Sequence, residues 1–318
     1  MTLLKGSIVD LVTPFAGEGI AECEVAELVE WQISQGTNGI AICTTTGEGP
    51  TLTTGEMERL IRICVEVSAT RVPIIAATGT YGTESTIALT QMAKAAGAAA
   101  ALVVTPYYSR PSQEGLYRHF EAVARAVDLP IVLHNVPSRT GVDLLPTTVG
   151  RLVQIPSTVG IFDQGTDPLK PFAIEWATNR RLFQRWDSDV RAFAFARAKG
   201  QVCISALANL VPAACAMLRQ ATFDQRHDVA ADIIRRLTGL LEALACDGDP
   251  AQIKVAMKKV RPGFPTSCRL PIVGGSAEYH DGLGDELKAL LIDPFWNPHA
   301  PDLRRPHVGR QQQLLASR

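Results

Sequence analysis

The 34 residues PIVLHNVPSRTGVDLLPTTVGRLVQIPSTVGIFD, positions 130–163, contain the unit from which the rest of the chain is read. A short apolar run ends in His134, the string HNVPSRTG turns the chain, a stretch of helical period follows, and a second apolar run, VGIFD, ends at Asp163. Apolar runs without polar alternation suit strands buried on both faces, and two of them joined through a helix run parallel.

The same unit recurs on both sides. Strands are expected at 7–12, 39–43, 73–77, 101–105, 131–134, 159–163, 181–186 and 202–206, with helical stretches such as 22–35, 54–70, 84–96 and 114–126 between them. Eight parallel strands separated by crossover helices predict an α/β fold closed into a (β/α)8 barrel. From about Pro212 the pattern is helical only, at 212–220, 224–245, 250–260 and 276–292. The expected organisation is a barrel over 1–222, a C-terminal helical bundle over 223–293, and a Pro-, His-, Arg- and Gln-rich tail over 294–318 that is poorly ordered or docked on the surface.

Composition narrows the function classes. Of 318 residues, 46% are hydrophobic and 20% charged, enough apolar content for a large core. Net charge is -1 and no sustained basic run precedes the tail, so a nucleic-acid partner is not expected. No run of 18 apolar residues occurs and no signal-peptide pattern precedes the first strand, so the expectation is a cytoplasmic protein without a membrane partner. The seven cysteines are scattered without a C-x-x-C pair, which reads as reduced thiols and makes a cysteine metal site improbable.

In such a barrel, chemistry gathers where the strands end. After the second strand, CTTTGE (43–48) offers hydroxyls and turn amides able to hold a carboxylate, or a Thr-rich turn that bonds only its own backbone. After the fourth, the paired tyrosines of TPYYSRP cannot both face the core, so at least one is presented outward, as a subunit contact or a catalytic phenol. His134 is a general base or a satisfied structural histidine; Arg139 binds a carboxylate or closes a loop ion pair. A divalent metal held by His134, Asp187 and Glu48 is a further alternative, without ligand-spaced motifs behind it.

Several strings in order, TTGE, TPYYSRPSQEGLY, NVPSRTG with LLP and VGRL downstream, and ISALANLVP, resemble the dihydrodipicolinate synthase and N-acetylneuraminate lyase family, most closely its synthase branch, over roughly residues 4–291. The resemblance implies a (β/α)8 barrel with a helical C-terminal domain, a homo-oligomer (tetramer or dimer), no cofactor, and aldol-type chemistry on 2-oxo acids through a lysine Schiff base with pyruvate. It implies that Thr45 belongs to a proton relay and Thr46 to the pyruvate-carboxylate site. Tyr108 is similar to a relay tyrosine given to the neighbouring subunit, Arg139 to an arginine at the pocket mouth, and Ile204 to a pocket-lining residue.

The chain departs from that pattern at the chemical centre. Where the family has G-I-K-E, with the Schiff-base lysine, this chain reads Gly160-Ile161-Phe162-Asp163, and a phenyl ring cannot form a carbinolamine. His134 stands where the family has a relay tyrosine, and Asp187 where it has the glycine of S-G-D. Losing a lysine and gaining an aspartate both disfavour an anionic 2-oxo acid in a confined site. Lys170 and Lys199 are poorly placed to substitute. The expectation is a dihydrodipicolinate synthase-like protein that does altered lyase or acid-base chemistry on a small oxo-acid-like ligand, with His134 as base and Tyr108 or Thr45 as donor. The alternative is a catalytically silent metabolite-binding or hetero-oligomer partner.

Overall fold

The computed structural model describes residues 4–179, 184–187, 202–244, 250–274 and Leu287. Eight parallel strands close into a barrel: β1 (Gly6–Asp10), β2 (Gly39–Ile42), β3 (Ile74–Ala77), β4 (Ala100–Val104), β5 (Ile131–Asn135), β6 (Thr158–Asp163), β7 (Gln184–Asp187) and β8 (Val202–Ser205). Strand β1 pairs with both β2 and β8, which shuts the ring. Between the strands run α1 (Glu22–Ser34), α2 (Thr54–Ser68), α3 (Thr83–Ala95), α4 (Gln113–Ala126), the short α5 (Pro137–Thr140) and α6 (Pro146–Leu152), and α7 (Lys170–Ala177). After β8 come α8 (Pro212–Phe223), α9 (His227–Leu244) and α10 (Pro250–Val260).

Local chemistry sets the helix starts. At α2, Thr53 Oγ1 accepts from the Glu56 amide at 3.3 Å while the Glu56 carboxylate accepts from the Thr53 amide at 2.9 Å, a reciprocal capping box. At α4, Ser112 accepts from the Gly115 amide at 3.2 Å.

One-residue alternation sorts the strand side chains. Ile8, Ala41, Ile75, Leu102, Val132, Phe162, Val202 and Ile204 form a cluster inside the ring. Their neighbours Val103, Leu133 and Ile161 face outward and pack with Leu116 and Phe120 of α4 and Ile174 of α7. On the other side, Val9, Ile40 and Ile42 share a cluster with α1, α2 and the C-terminal residues Ile233, Leu237, Leu240, Ile253 and Met257. The last helices therefore close over barrel helices.

Several boundaries moved. The first strand was expected to reach residue 12 but ends at Asp10, and a two-residue hairpin (Phe15–Ala16 with Gly19–Ile20) that is too short to leave a periodic pattern follows it. Gln184–Asp187 is strand, one residue past the expected end. The helix expected at 276–292 lies outside the described residues apart from Leu287, as do the tail and Lys199. Among the described residues, no helix is long and apolar enough to cross a membrane.

Candidate active site

The strand ends bring one aromatic pair to the barrel axis. Phe162 on β6 is 3% exposed, within the interior cluster that contains Ile204. It lies in register with His134 on β5, and the two rings stack at 4.9 Å between centroids and 14° between planes. His134 Nε2 lies 3.2 Å from Gln164 Oε1. An amide oxygen accepts, so Nε2 carries the proton and Nδ1 keeps the lone pair. Burial pushes the imidazole down to about 4; the Gln164 bond opposes this, the Arg139 charge adds to it, and Asp163 opposes it. His134 is therefore neutral at pH 7, a weak base but one always in its basic form.

Asp163 points the other way. It is 9% exposed and accepts from Asn135 Nδ2 at 2.9 Å and the Gly165 amide at 2.8 Å. Lys170, 5% exposed, ion-pairs with Asp163 at 3.2 Å and with Asp143. That ammonium is held by two carboxylates outside the ring, and the poor placement inferred for it from sequence follows from these pairs.

The loop after β2 is shaped by close backbone contacts. A Cβ at Gly49 would stand 1.9 Å from the Cys43 carbonyl oxygen, and one at Gly47 would stand 2.8 Å from that of Leu11. These glycines bring Thr44 and Thr46 onto Asp10 at the end of β1: Thr46 Oγ1 donates to Asp10 Oδ2 at 2.8 Å, and Thr44 Oγ1 donates to Oδ1. Thr44 also accepts from the Gly47 amide at 3.2 Å. Thr45, half-buried between them, uses its carbonyl to accept from the Glu48 amide at 3.1 Å.

Glu48 corrects the metal alternative. It adopts φ 53, is fully buried, and its carboxylate pairs with the equally buried Lys254 of α10 and accepts from the Arg269 amide at 2.8 Å. The turn aims it at the C-terminal segment, so it does not join His134. Among the described residues no group of three or more His, Cys, Asp or Glu is arranged to hold a metal ion.

The remaining positions separate. Tyr108 is 97% exposed at φ 69, whereas Tyr107 is half-buried, edge-on to Tyr81 at 5.9 Å, with its hydroxyl 3.5 Å from Thr80 Oγ1. Arg139 is exposed on α5. Asp187 is the last residue of β7, in register with Cys203. Sequence reasoning missed Asp10 and Gln164. Asp10 carried one usable signal: it lies two residues beyond Ile8 on the same face of the strand, hence toward the mouth. A separate cavity of about 1140 Å³ lies at the opposite end, lined by Leu4, Lys5, Asn38, Pro73, Pro130 and Thr158, away from these groups.

Comparison with known proteins assigns the framework. Residues 3–290 match the family described as the dihydrodipicolinate synthetase family. A 4-hydroxy-tetrahydrodipicolinate synthase of Rhodospirillum centenum is 44% identical over 256 residues, 80% of this chain and 87% of that protein. Its namesake in Parvibaculum lavamentivorans is 41% identical over 276 residues, 86% and 94% of the two chains. Among solved structures, the chloride-inhibited dihydrodipicolinate synthase of Acinetobacter baumannii, complexed with pyruvate, superposes with TM-score 0.85 at 37% identity, covering 90% of this chain and 98% of that one. The Thermotoga maritima enzyme gives TM-score 0.86 at 32% identity, covering 91% and 99%.

Proposed function

Since this chain belongs to the dihydrodipicolinate synthetase family, we propose that it is a member without Schiff-base chemistry, one that binds a small molecule non-covalently at the strand ends. The observation that carries this reading is Phe162: an aromatic ring on the barrel axis, 3% exposed and stacked on His134, at the position where the resemblance expects an amine. Without a nitrogen nucleophile there, a carbonyl ligand has nothing to condense with. Lys170, bound to two carboxylates outside the ring, offers no replacement.

In this reading Thr45, Thr46, Arg139, Asp187 and Ile204 surround the ligand, and Tyr108 is a subunit contact in a homo-oligomer, dimer or tetramer. The near-complete exposure of Tyr108 favours a contact over a role in its own pocket. We adopt a barrel over 1–222, a helical bundle over 223–293 and a tail over 294–318, because the regular elements among the described residues after Val211 are all helices. A second reading, acid-base chemistry on an oxo-acid-like ligand, draws on the Nδ1 lone pair of His134, which the Gln164 bond leaves available.

Proton exchange separates the two. Incubated with pyruvate in D2O, a binding protein leaves the methyl signal at the buffer rate by NMR, which is the expected result. Exchange above buffer that disappears in His134→Phe would establish the acid-base reading and overturn the silent one.

A further inference from the structure

We propose that the cavity at the N-terminal end of the barrel is a second binding site, one that takes an amphipathic monocarboxylate with its anionic head on Lys5 and its apolar chain or ring inside. The cavity lies at the far end of the strands from Phe162 and His134, and the inference goes beyond the non-covalent reading above without resting on it.

Position and size come first. The cavity opens where the strands begin: Lys5, Asn38, Pro73 and Pro130 line it and stand directly before β1, β2, β3 and β5, and Thr158 opens β6. Its volume is about 1140 Å³, whereas ordinary small-ligand pockets span about 300–1,000 Å³. A three-carbon acid would leave most of that space empty. Walls supplied by Val72, Pro73, Pro130, Val153, Pro156 and Val159 call for a ligand with a substantial apolar body.

The polar groups around the cavity are largely spent. At the strand starts, the Asn38 amide donates to the Ser7 carbonyl at 2.7 Å, that of Ile40 to Pro73 at 3.0 Å and that of Ala99 to Ile74 at 2.8 Å. The helix ends are closed by their own side chains: Ser68 Oγ donates to the Val72 carbonyl at 2.7 Å, and Thr178 Oγ1 to that of Ile174 at 2.8 Å. Lys5 is left. It is the one charged residue among the described lining residues, and its ammonium has no hydrogen-bond or ion-pair partner among the described residues. One cation without a counter-charge, set against an apolar wall, matches a ligand that carries one negative charge.

The two parts of such a ligand contribute differently. Lys5 is exposed, so solvent screens its contact with the head and limits it to about 5-fold in affinity. The chain supplies the rest, at up to about 4-fold for each methylene buried.

The test titrates octanoate, decanoate and decyltrimethylammonium calorimetrically into the full chain, Lys5→Glu and Ala99→Trp. Ala99 lines the cavity and is exposed, so an indole there fills the space without displacing core; Gln154→Trp, at another exposed lining position, serves if that variant unfolds. The native chain should bind decanoate about 10-fold more tightly than octanoate. It should bind decyltrimethylammonium about 5-fold or more weakly than decanoate. Lys5→Glu should invert the preference between decanoate and the ammonium, and the tryptophan variant should bind neither.

Equal binding of decanoate and the ammonium by the native chain, a preference unchanged in Lys5→Glu, binding that survives both tryptophan variants, or no decanoate binding up to about 1 mM would overturn the assignment. Pyruvate trapped covalently on the native chain would overturn the reading of the strand-end site and leave this one standing, so the two failures are separable.

Discussion

Replacing Glu48 by Gln isolates the charge that ties the loop after β2 to the C-terminal segment. Glu48 and Lys254 are both fully buried, and among the described residues the ammonium meets, besides the carboxylate, the Ser267 carbonyl at 2.8 Å and the Phe15 ring at 4.2 Å. Removing one member of such a pair leaves an uncompensated buried charge, a cost of about 3–5 kcal/mol. Lys254 can escape by losing its proton, because burial already pushes its pKa below 10.5 and the Glu48 hydrogen bond chiefly opposes that push.

Escape costs about 1.4 kcal/mol for each pH unit below the unfolded pKa, hence about 5 kcal/mol at pH 7 but only about 2 kcal/mol at pH 9. The sign follows from proton counting. With its folded pKa depressed, Lys254 binds fewer protons folded than unfolded, so the variant gains stability as pH rises. Urea unfolding of native chain and Glu48→Gln at both pH values should give a penalty of about 3–5 kcal/mol at pH 7 that falls to about 2 kcal/mol or less at pH 9. Adding Lys254→Met should recover most of the loss. A penalty under about 1 kcal/mol at pH 7, or one equal at both pH values, would refute the reasoning.

Phe162→Ala should cost about 3–5 kcal/mol in the same unfolding assay, because the ring is packed against Ile8, Val132 and Ile204 inside the barrel; a loss under about 1 kcal/mol would mean the axis is not filled. His119, 5% exposed, has its pKa pushed by burial from 6.5 to about 4. The unfolded chain therefore takes up the proton first, and stability is full above pH 6.5 and falls as pH drops toward 4. Native chain should lose about 2 kcal/mol more than His119→Gln between pH 7 and pH 5, and equal slopes would count against a neutral His119. Tyr108→Ala should shift the assembly toward smaller species in light scattering if the exposed ring packs on a second copy, while an unchanged mass would remove it from the interface.

The barrel was legible because its strands are continuous apolar runs and because the strings around NVPSRTG are long. The parity of GIFD also yielded the placement of Phe162, since in a strand only every second residue can face the axis, and Asp163 does take the outer side. Glu48 was not legible: its left-handed backbone reverses the direction that a strand-end residue would have, and its partner Lys254 lies 206 residues away. Asp10 was hidden inside a strand drawn two residues too long, although an acidic group ending an otherwise apolar run needs partners and finds them in two threonines 34 and 36 residues on. Of the tyrosine pair, the sequence required at least one outward ring, and the 97% exposure of Tyr108 identifies it.

Among the described residues no amine reaches the barrel axis, and the proposed non-covalent reading depends on none being there to condense with a 2-oxo acid. The most direct test of that reading is borohydride reduction in the presence of pyruvate, read by intact mass and peptide mapping, on the native chain beside Phe162→Lys. The expected result is an unmodified native chain and an adduct on the introduced lysine of the variant. A pyruvate adduct mapped to any single lysine of the native chain would contradict it.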